Sequence, residues 1–353
     1  MELRPYKGGD ATLEGFAEPI RLASNEGALG PSPKAMAALE AIGPELHRYP
    51  DGGAKAMRQA LAEHHGLDVA RIVCGAGSDE LLSQLCRAFA GPGDEVVHSA
   101  HGFMWYALTT RASGATPVAA PEVELTANVD NLLAAVGPKC RILFLANPNN
   151  PTGTVLPHQE IERLQAGLPE DVLLVLDGAY AEYIEDDWYS DGAELVEAAE
   201  NAVMTRTFSK LHALAQIRLG WAYCPTAVAD VLDRIRAPFN VAGPAQAAGL
   251  AALADREHAD RTRAHTIQWR NWLTAEATKL GLQTTDSVGN FVLLRFADEA
   301  GRTAHEADAF LRSRGIIVRT QDPVGLSDCL RVSIGTEDEM RATLAALAEF
   351  MQD

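Results

Sequence analysis

The sequence predicts an α/β chain: a largely parallel, mixed sheet sandwiched by helices, followed by a smaller α+β domain. Three observations carry that expectation. Apolar runs such as Arg141-Ile-Leu-Phe-Leu-Ala146 and Val172-Leu-Leu-Val-Leu-Asp177 lack alternation, which fits strands buried on both faces of a parallel sheet. These runs alternate with helical stretches, as βα repeats require. The chain has 353 residues, more than one ordinary hydrophobic core accommodates, so two domains are expected.

Residues 1–30 are rich in Gly and Pro and read as an arm that packs with the small domain or a partner subunit. Residues 31–236 read as the large domain. Its helices are expected over 33–42, 53–65, 78–90 and 103–113, and its strands over 71–74, 95–98, 141–146, 172–177, 202–206 and 219–224. Residues 237–353 read as the small domain. There Pro238 and Gly243-Pro244 interrupt, and one long stretch rich in Ala, Arg and His predicts helix from about 245 to 280. Strands at 290–296, 316–319 and 330–334 flank a helix at 303–314. No internal repeat or low-complexity tract is visible.

Composition narrows the function classes. At 47% hydrophobic and 22% charged residues the chain is globular rather than disordered. Its 30 basic and 48 acidic residues give a net charge of −18, which repels phosphate backbones, so no nucleic-acid partner is expected. A local arginine pocket still allows a small anionic ligand. The 5 cysteines are scattered and never spaced C-x-x-C, which argues against disulfides and structural zinc and points to a reducing compartment, the cytoplasm. No metal site is expected from the histidines either. No apolar run approaches the roughly 18 residues of a membrane span.

Ligand sites in open α/β sheets lie beyond the carboxyl ends of the strands. After strand 71–74 comes Gly75-Ala-Gly77-Ser78-Asp79-Glu80. Small residues and a helix start there suit an anion, although a helix capped by Ser78 explains the segment equally well. After 141–146 comes Asn147-Pro-Asn-Asn150-Pro-Thr-Gly153, a fixed loop that presents Asn150 or is simply a turn. After 172–176 come Asp177 and Tyr180. A carboxylate ending a buried strand is costly unless a cation meets it, and its alternative is a cap. After 202–206 comes Thr207-Phe208-Ser209-Lys210, with Arg218 eight residues on. Lysine is scarce here, and one set among Phe208, Leu211, Leu214 and Ile217 has a lowered pKa and a nucleophilic amine suited to a Schiff base. An amine, a carboxylate, a phenol, an amide, an arginine and a phosphate-sized helix start are the groups that pyridoxal 5'-phosphate needs.

Asn147-Pro-Asn-Asn-Pro-Thr-Gly153, Asp177-Gly-Ala-Tyr180 and Ser209-Lys210…Arg218 resemble the motifs of fold-type I, pyridoxal-phosphate-dependent aminotransferases. Within that class, Leu22-Ala-Ser-Asn25-Glu26, Gly30-Pro-Ser-Pro33, Arg48-Tyr49-Pro50-Asp51 and Gly315-Ile-Ile-Val-Arg319…Leu330-Arg331-Val-Ser-Ile-Gly-Thr336 resemble the histidinol-phosphate aminotransferase family. The likeness spans residues 4–350. It implies that Lys210 forms the Schiff base and later moves the substrate Cα proton. It also implies that Asp177 keeps the pyridine nitrogen protonated, that Tyr180 and Asn150 bond the ring hydroxyl, and that Phe103 stacks on the ring. Gly77, Ser78, Ser209 and Arg218 would hold the cofactor phosphate with Thr207 close by, and Tyr49 would reach the phosphate of a partner subunit in a homodimer. Arg331 would grip an α-carboxylate, while Tyr6, Asn25 and Arg319 would line the substrate pocket, Arg319 and Tyr6 reading a substrate phosphate.

The implied reaction is a ping-pong transfer of the amino group of L-glutamate to imidazole acetol phosphate, giving L-histidinol phosphate. An aromatic amino-acid aminotransferase or a phospho-amino-acid decarboxylase of the same fold is the alternative. A cofactor-binding regulator would need an added DNA-binding domain, and a nicotinamide dehydrogenase would need a different glycine spacing and leave Lys210 unexplained. Trp105 and Tyr106 read as core. Three departures from the family pattern stand out: Gly178 where glutamate or alanine is usual, Gln216 in place of glycine, and Ala100-His101-Gly102 in place of Pro-Pro-Thr.

Overall fold

The computed structural model describes residue 5, residues 8–297 and residues 299–352. A short strand β1 (Ile20–Arg21) precedes helices α1 (Pro33–Ile42) and α2 (Lys55–His65). Then β2 (Ile72–Gly75) leads into α3 (Ser78–Phe89), β3 (Glu95–Ser99) into α4 (Trp105–Ser113), and β4 (Thr116–Ala120) into α5 (Val129–Ala135). Next, β5 (Cys140–Ala146) leads into α6 (His158–Gly167) and β6 (Leu173–Asp177) into α7 (Ala193–Ala198). β7 (Ala202–Thr207) turns back through β8 (Gly220–Tyr223) to α8 (Thr226–Ile235). Beyond lie α9 (Gly243–Leu253), α10 (Arg256–Lys279), β9 (Gln283–Thr284), β10 (Phe291–Arg295) and α11 (Ala304–Ser313). The chain continues through β11 (Ile316–Ile317), β12 (Arg319–Gln321), β13 (Leu326–Ser333) and α12 (Glu337–Gln352).

The large sheet has 7 strands in the order β2-β8-β7-β6-β5-β3-β4. Only β8 runs against its neighbours. Both faces are covered, which is why the strands read as unbroken apolar runs. On β5, Ile142 and Phe144 pack under α3, α4 and α8, while Leu143 and Leu145 face α5 and α6. Helices α2, α7 and α9 cover the far end through Met57, Val196 and Ala248.

The direction of each strand decides what reaches the site. The carboxyl ends of β2, β5, β6 and β7 all emerge at one edge of the sheet. Because β8 is antiparallel, its beginning lies at that same edge, and Arg218 just before it arrives beside them. The second sheet, in the order β12-β13-β10-β9, is antiparallel and pairs Arg319 directly with Arg331.

Several expectations shift. The first 30 residues are not wholly irregular, since β1 pairs in parallel with β11 and Leu22, Ala23 and Asn25 are buried. The helix expected from 245 to 280 is two helices. Asp255 between them has non-helical backbone and takes hydrogen bonds from Ser32 Oγ (2.5 Å) and Lys34 Nζ (3.1 Å). Ser78 is not the cap of α3: Gly77 is, at φ +89°. Among the described residues no helix is long and apolar enough to cross a membrane.

Candidate active site

The strand ends enclose a cavity of about 420 Å³ between the two sheets. Ser78, Phe103, Asn150, Asp177, Tyr180, Thr207, Ser209, Lys210 and Arg218 line it from the large-sheet side, and Asn25, Arg319 and Arg331 from the other. Twelve of the residues anticipated from sequence thus meet at one place. Gly77 lies just beneath, against Arg218. Tyr49 is not in the cavity of its own chain: it is 82% exposed and stacked on Phe239 at 4.6 Å. Tyr6 lies outside the described residues.

At the end of β2 the backbone turns so tightly that side chains are excluded. A Cβ at Gly77 would lie 2.2 Å from Arg218 Nη2, and one at Gly220 would lie 2.3 Å from the Ser78 nitrogen. Glu80 closes the turn by accepting from the Ala76 N–H (2.5 Å) and from Asn240 (2.9 Å). Arg218 donates to Ser209 Oγ (3.3 Å) and pairs with Asp79 (2.5 Å), and Thr207 Oγ1 donates to Ser209 Oγ (3.0 Å). Hydroxyls, a guanidinium and the N–H groups of the first turn of α3 make an anion cup.

At the end of β6, Asp177 is 4% exposed. Burial raises its carboxyl above the ordinary range, opposed by hydrogen bonds from Tyr106, Ala179 and Thr205. Tyr106 makes the shortest of these, donating to Oδ2 at 2.8 Å. Burial and the Asp177 charge hold that phenol protonated. Tyr106 is core, as its apolar surroundings suggest, but it also supports the carboxylate, a role its sequence neighbourhood did not reveal. Trp105 lines the cavity as well.

Lys210 follows β7 and is pulled down to about 8, first by burial and then by the charges of Arg331 and Arg218. Its Nζ faces the carbonyl oxygens of Ser24 and Asn25, both at 3.4 Å. The Asn147–Gly153 loop is fixed by Asn147 bonding both polar backbone groups of Leu156. The loop thereby presents Asn150, whose Oδ1 accepts from Arg331 Nη1 at 2.5 Å. Arg331 Nη2 donates to the Ala23 carbonyl (2.7 Å) and Arg319 Nη1 to that of Gly8 (2.6 Å).

The three departures each have a structural account. Gln216 is exposed in a short turn, and the left-handed backbone falls on Ala213 and Arg218 instead, so no glycine is needed at 216. Gly178 sits tightly against Arg206, whose Cδ would be 3.1 Å from an added Cβ. His101 is anchored by Glu122, which accepts from its backbone N–H (3.1 Å) and contacts its Nδ1 (2.8 Å), while Asn149 holds its carbonyl (3.3 Å). This pins the loop carrying Phe103 without proline.

Comparison with known proteins agrees with this geometry. Residues 17–347 match the family model described as aminotransferase class I and II. The chain is 60% identical over 351 residues to a histidinol-phosphate aminotransferase of Paramagnetospirillum magneticum, covering 99% of this chain and 97% of that protein. It is 54% identical to one from Rhodospirillum rubrum, over 99% of this chain and 95% of the relative. A crystal structure of histidinol-phosphate aminotransferase from Sinorhizobium meliloti in complex with pyridoxal-5'-phosphate superposes with a TM-score of 0.89 at 30% identity. That match covers 95% of this chain and 91% of the other. Aspartate aminotransferase from Thermus thermophilus shares the fold at a TM-score of 0.83 and 22% identity, over 94% of this chain and 91% of that one. With its fold-type I architecture and near-complete matches, the chain belongs to the aminotransferase class I and II family.

Proposed function

We propose that this chain is a pyridoxal-5'-phosphate-dependent transaminase that passes the amino group of L-glutamate to imidazole acetol phosphate. The products are 2-oxoglutarate and L-histidinol phosphate, a step of histidine biosynthesis. The observation that carries this reading is the convergence of a desolvated amine, a buried carboxylate and a glycine-walled anion cup at one sheet edge.

The residues fit the cofactor. A Cβ at position 77 would crowd Arg218 and Asp79 at the mouth of the cup. The buried Asp177 carboxylate is stabilised by a cation, which a protonated pyridine nitrogen supplies. An amine pulled down to about 8 is an effective nucleophile toward an aldehyde near neutral pH. When bound, the cofactor supplies an electron sink and carries the amino group between two half-reactions.

In this reading Gly77, Ser78, Thr207, Ser209 and Arg218 hold the phosphate. Asp177 keeps the ring nitrogen protonated, Asn150 and Tyr180 bond the ring hydroxyl, and Phe103 covers the ring face. Lys210 Nζ holds the aldehyde carbon and then moves the proton at the donor Cα. Arg331 takes the α-carboxylate through its planar fork, Arg319 with Tyr6 takes the substrate phosphate, and Asn25 lines the same pocket. Arg319 and Arg331 are cross-strand partners, and like charges set opposite each other repel, so an anion between them relieves the pair.

We further infer a homodimer with shared sites. Tyr49 and Phe239, with Met36 and Leu46, expose apolar surface that a second copy would cover. Tyr49 would then reach the cofactor phosphate of that copy. The two sheets fall on either side of residue 236, in keeping with an arm at 1–30, a cofactor-binding domain at 31–236 and a small domain at 237–353. The 5 cysteines are free and buried, which favours the reducing cytoplasm.

The test is amino transfer itself. Purified chain loaded with cofactor should form L-glutamate from 2-oxoglutarate and L-histidinol phosphate. A preference for L-phenylalanine as donor would move the assignment to an aromatic amino-acid aminotransferase. Carbon dioxide release from a phospho-amino acid would move it to a decarboxylase.

A further inference from the structure

We propose that Ser333 and Asn25 form a hydrogen-bond relay of fixed polarity that aims the Tyr180 hydroxyl into the cavity, so that both are positioning residues for the reaction. In the structure the three bonds run in one direction. The Asn25 backbone N–H can only donate, and it donates to Ser333 Oγ at 2.8 Å. The single proton of Ser333 Oγ goes to Asn25 Oδ1 at 3.0 Å. With the amide so placed, Oδ1 is the acceptor toward Ser333. The other end, Nδ2, therefore donates to Tyr180 Oη, at 2.8 Å. A phenol that accepts from Asn25 turns its own proton away from Asn25, and Tyr180 lines the cavity.

The relay is buried up to the cavity wall: Asn25, Ser333 and Tyr180 are 1%, 2% and 3% exposed. In such surroundings a hydrogen bond of the wrong polarity is costly, so the orientation is held. The relay also crosses the molecule. Ser333 ends β13 in the small sheet, whereas Tyr180 follows β6 in the large one. The backbone of Asn25 is left-handed at φ +53°, a strained conformation for a non-glycine residue. Asn290 Nδ2 donates to its carbonyl at 3.0 Å and helps to hold it there.

Asparagine is also a residue that tolerates left-handed backbone, so a purely conformational role for Asn25 must be separated from the relay. The relay rests on the cofactor assignment above, and its test reads the cofactor's absorbance rather than turnover. A phenol that donates to the ring oxygen competes with the protonated lysine-linked nitrogen for that oxygen. Losing the donation raises the pKa of the nitrogen, and Tyr180→Phe sets the scale of that rise. Spectrophotometric pH titration of the cofactor-loaded chain should show Ser333→Ala moving the midpoint upward, in the direction of Tyr180→Phe, and Ser333→Thr, which keeps the hydroxyl, returning it.

Asn25→Asp replaces the donor by an acceptor and should raise the midpoint by about one pH unit, the scale of one hydrogen bond to a charged group. Asn25→Gly keeps the left-handed backbone and should shift it less. Because Asn25→Asp also adds charge, the neutral Ser333→Ala decides. Thermal melting identifies any variant that fails to fold. Parent-like titration of Ser333→Ala beside a shifted Tyr180→Phe overturns the relay and leaves the cofactor assignment intact. No titrating band in the parent chain overturns both.

Discussion

Replacing Tyr106 by phenylalanine removes one oxygen and leaves the packing in place. The ring stacks on Phe144 at 4.8 Å and receives Phe103 edge-on at 5.8 Å, contacts that a phenylalanine keeps. What is lost is the 2.8 Å bond to Asp177 Oδ2. A hydrogen bond to a charged, buried group is worth about 1.5–3 kcal/mol. The loss depends on pH, with a definite sign. Burial already raises the folded-state pKa of Asp177, so its contribution to stability is fullest below the unfolded carboxylate value, near 3.9. That contribution falls away as pH rises through the folded value. Tyr106→Phe pushes the folded value higher still. Urea unfolding of the cofactor-free variant should therefore show a deficit of about 1.5–3 kcal/mol at pH 7.5 that shrinks at pH 4.5. If Asp177 faces the ring nitrogen as proposed, a more basic Asp177 would compete for its proton in the loaded enzyme, and kcat should fall about tenfold. An equal deficit at both pH values would mean that the hydroxyl supports the fold without supporting a charge.

Three further outcomes follow from the same geometry. Gly77→Ala places a Cβ where Arg218 lies, on backbone (φ +89°, ψ 160°) that suits only glycine, at a cost of about 1–3 kcal/mol, and should weaken cofactor binding at least about tenfold in an absorbance titration; unchanged affinity would contradict the cup. Gln216→Gly, at an exposed turn position with ordinary backbone, should leave cofactor affinity within about twofold and lower stability by no more than about 1 kcal/mol. A large gain in affinity would mean that position 216 still needs a glycine. The rate at which the cofactor-free chain captures pyridoxal 5'-phosphate should rise with pH through about 8 as the Lys210 amine loses its proton; a midpoint near that of an ordinary lysine, about 10.4, would contradict its desolvation.

The sheet and the strand-end residues were legible because both express strong local signals. Strands buried on two faces are continuous apolar runs, and each carries its chemistry in the residues that follow it. β4 has no clear signal in the sequence because Pro117 interrupts it; proline is tolerated there because β4 is the edge strand. Helix α12 did carry a start signal, since Thr336 and Glu339 bond each other's backbone N–H groups as a capping box. The break at Asp255 could not be read, because Ser32 and Lys34, more than 200 residues away in sequence, create it. The support of Asp177 by Tyr106 and of Tyr180 by Asn25 and Ser333 was hidden for the same reason. Each joins segments that only the tertiary fold brings together, with no spacing rule to mark them.

In the proposed function Lys210 is the residue that holds pyridoxal 5'-phosphate. Reducing the loaded chain with borohydride and mapping the modified peptide by mass spectrometry tests it directly. A single cofactor-derived mass increment is expected on Lys210, absent from Lys210→Ala. An increment on Lys7, Lys34, Lys55, Lys139 or Lys279, or none at all, would contradict it.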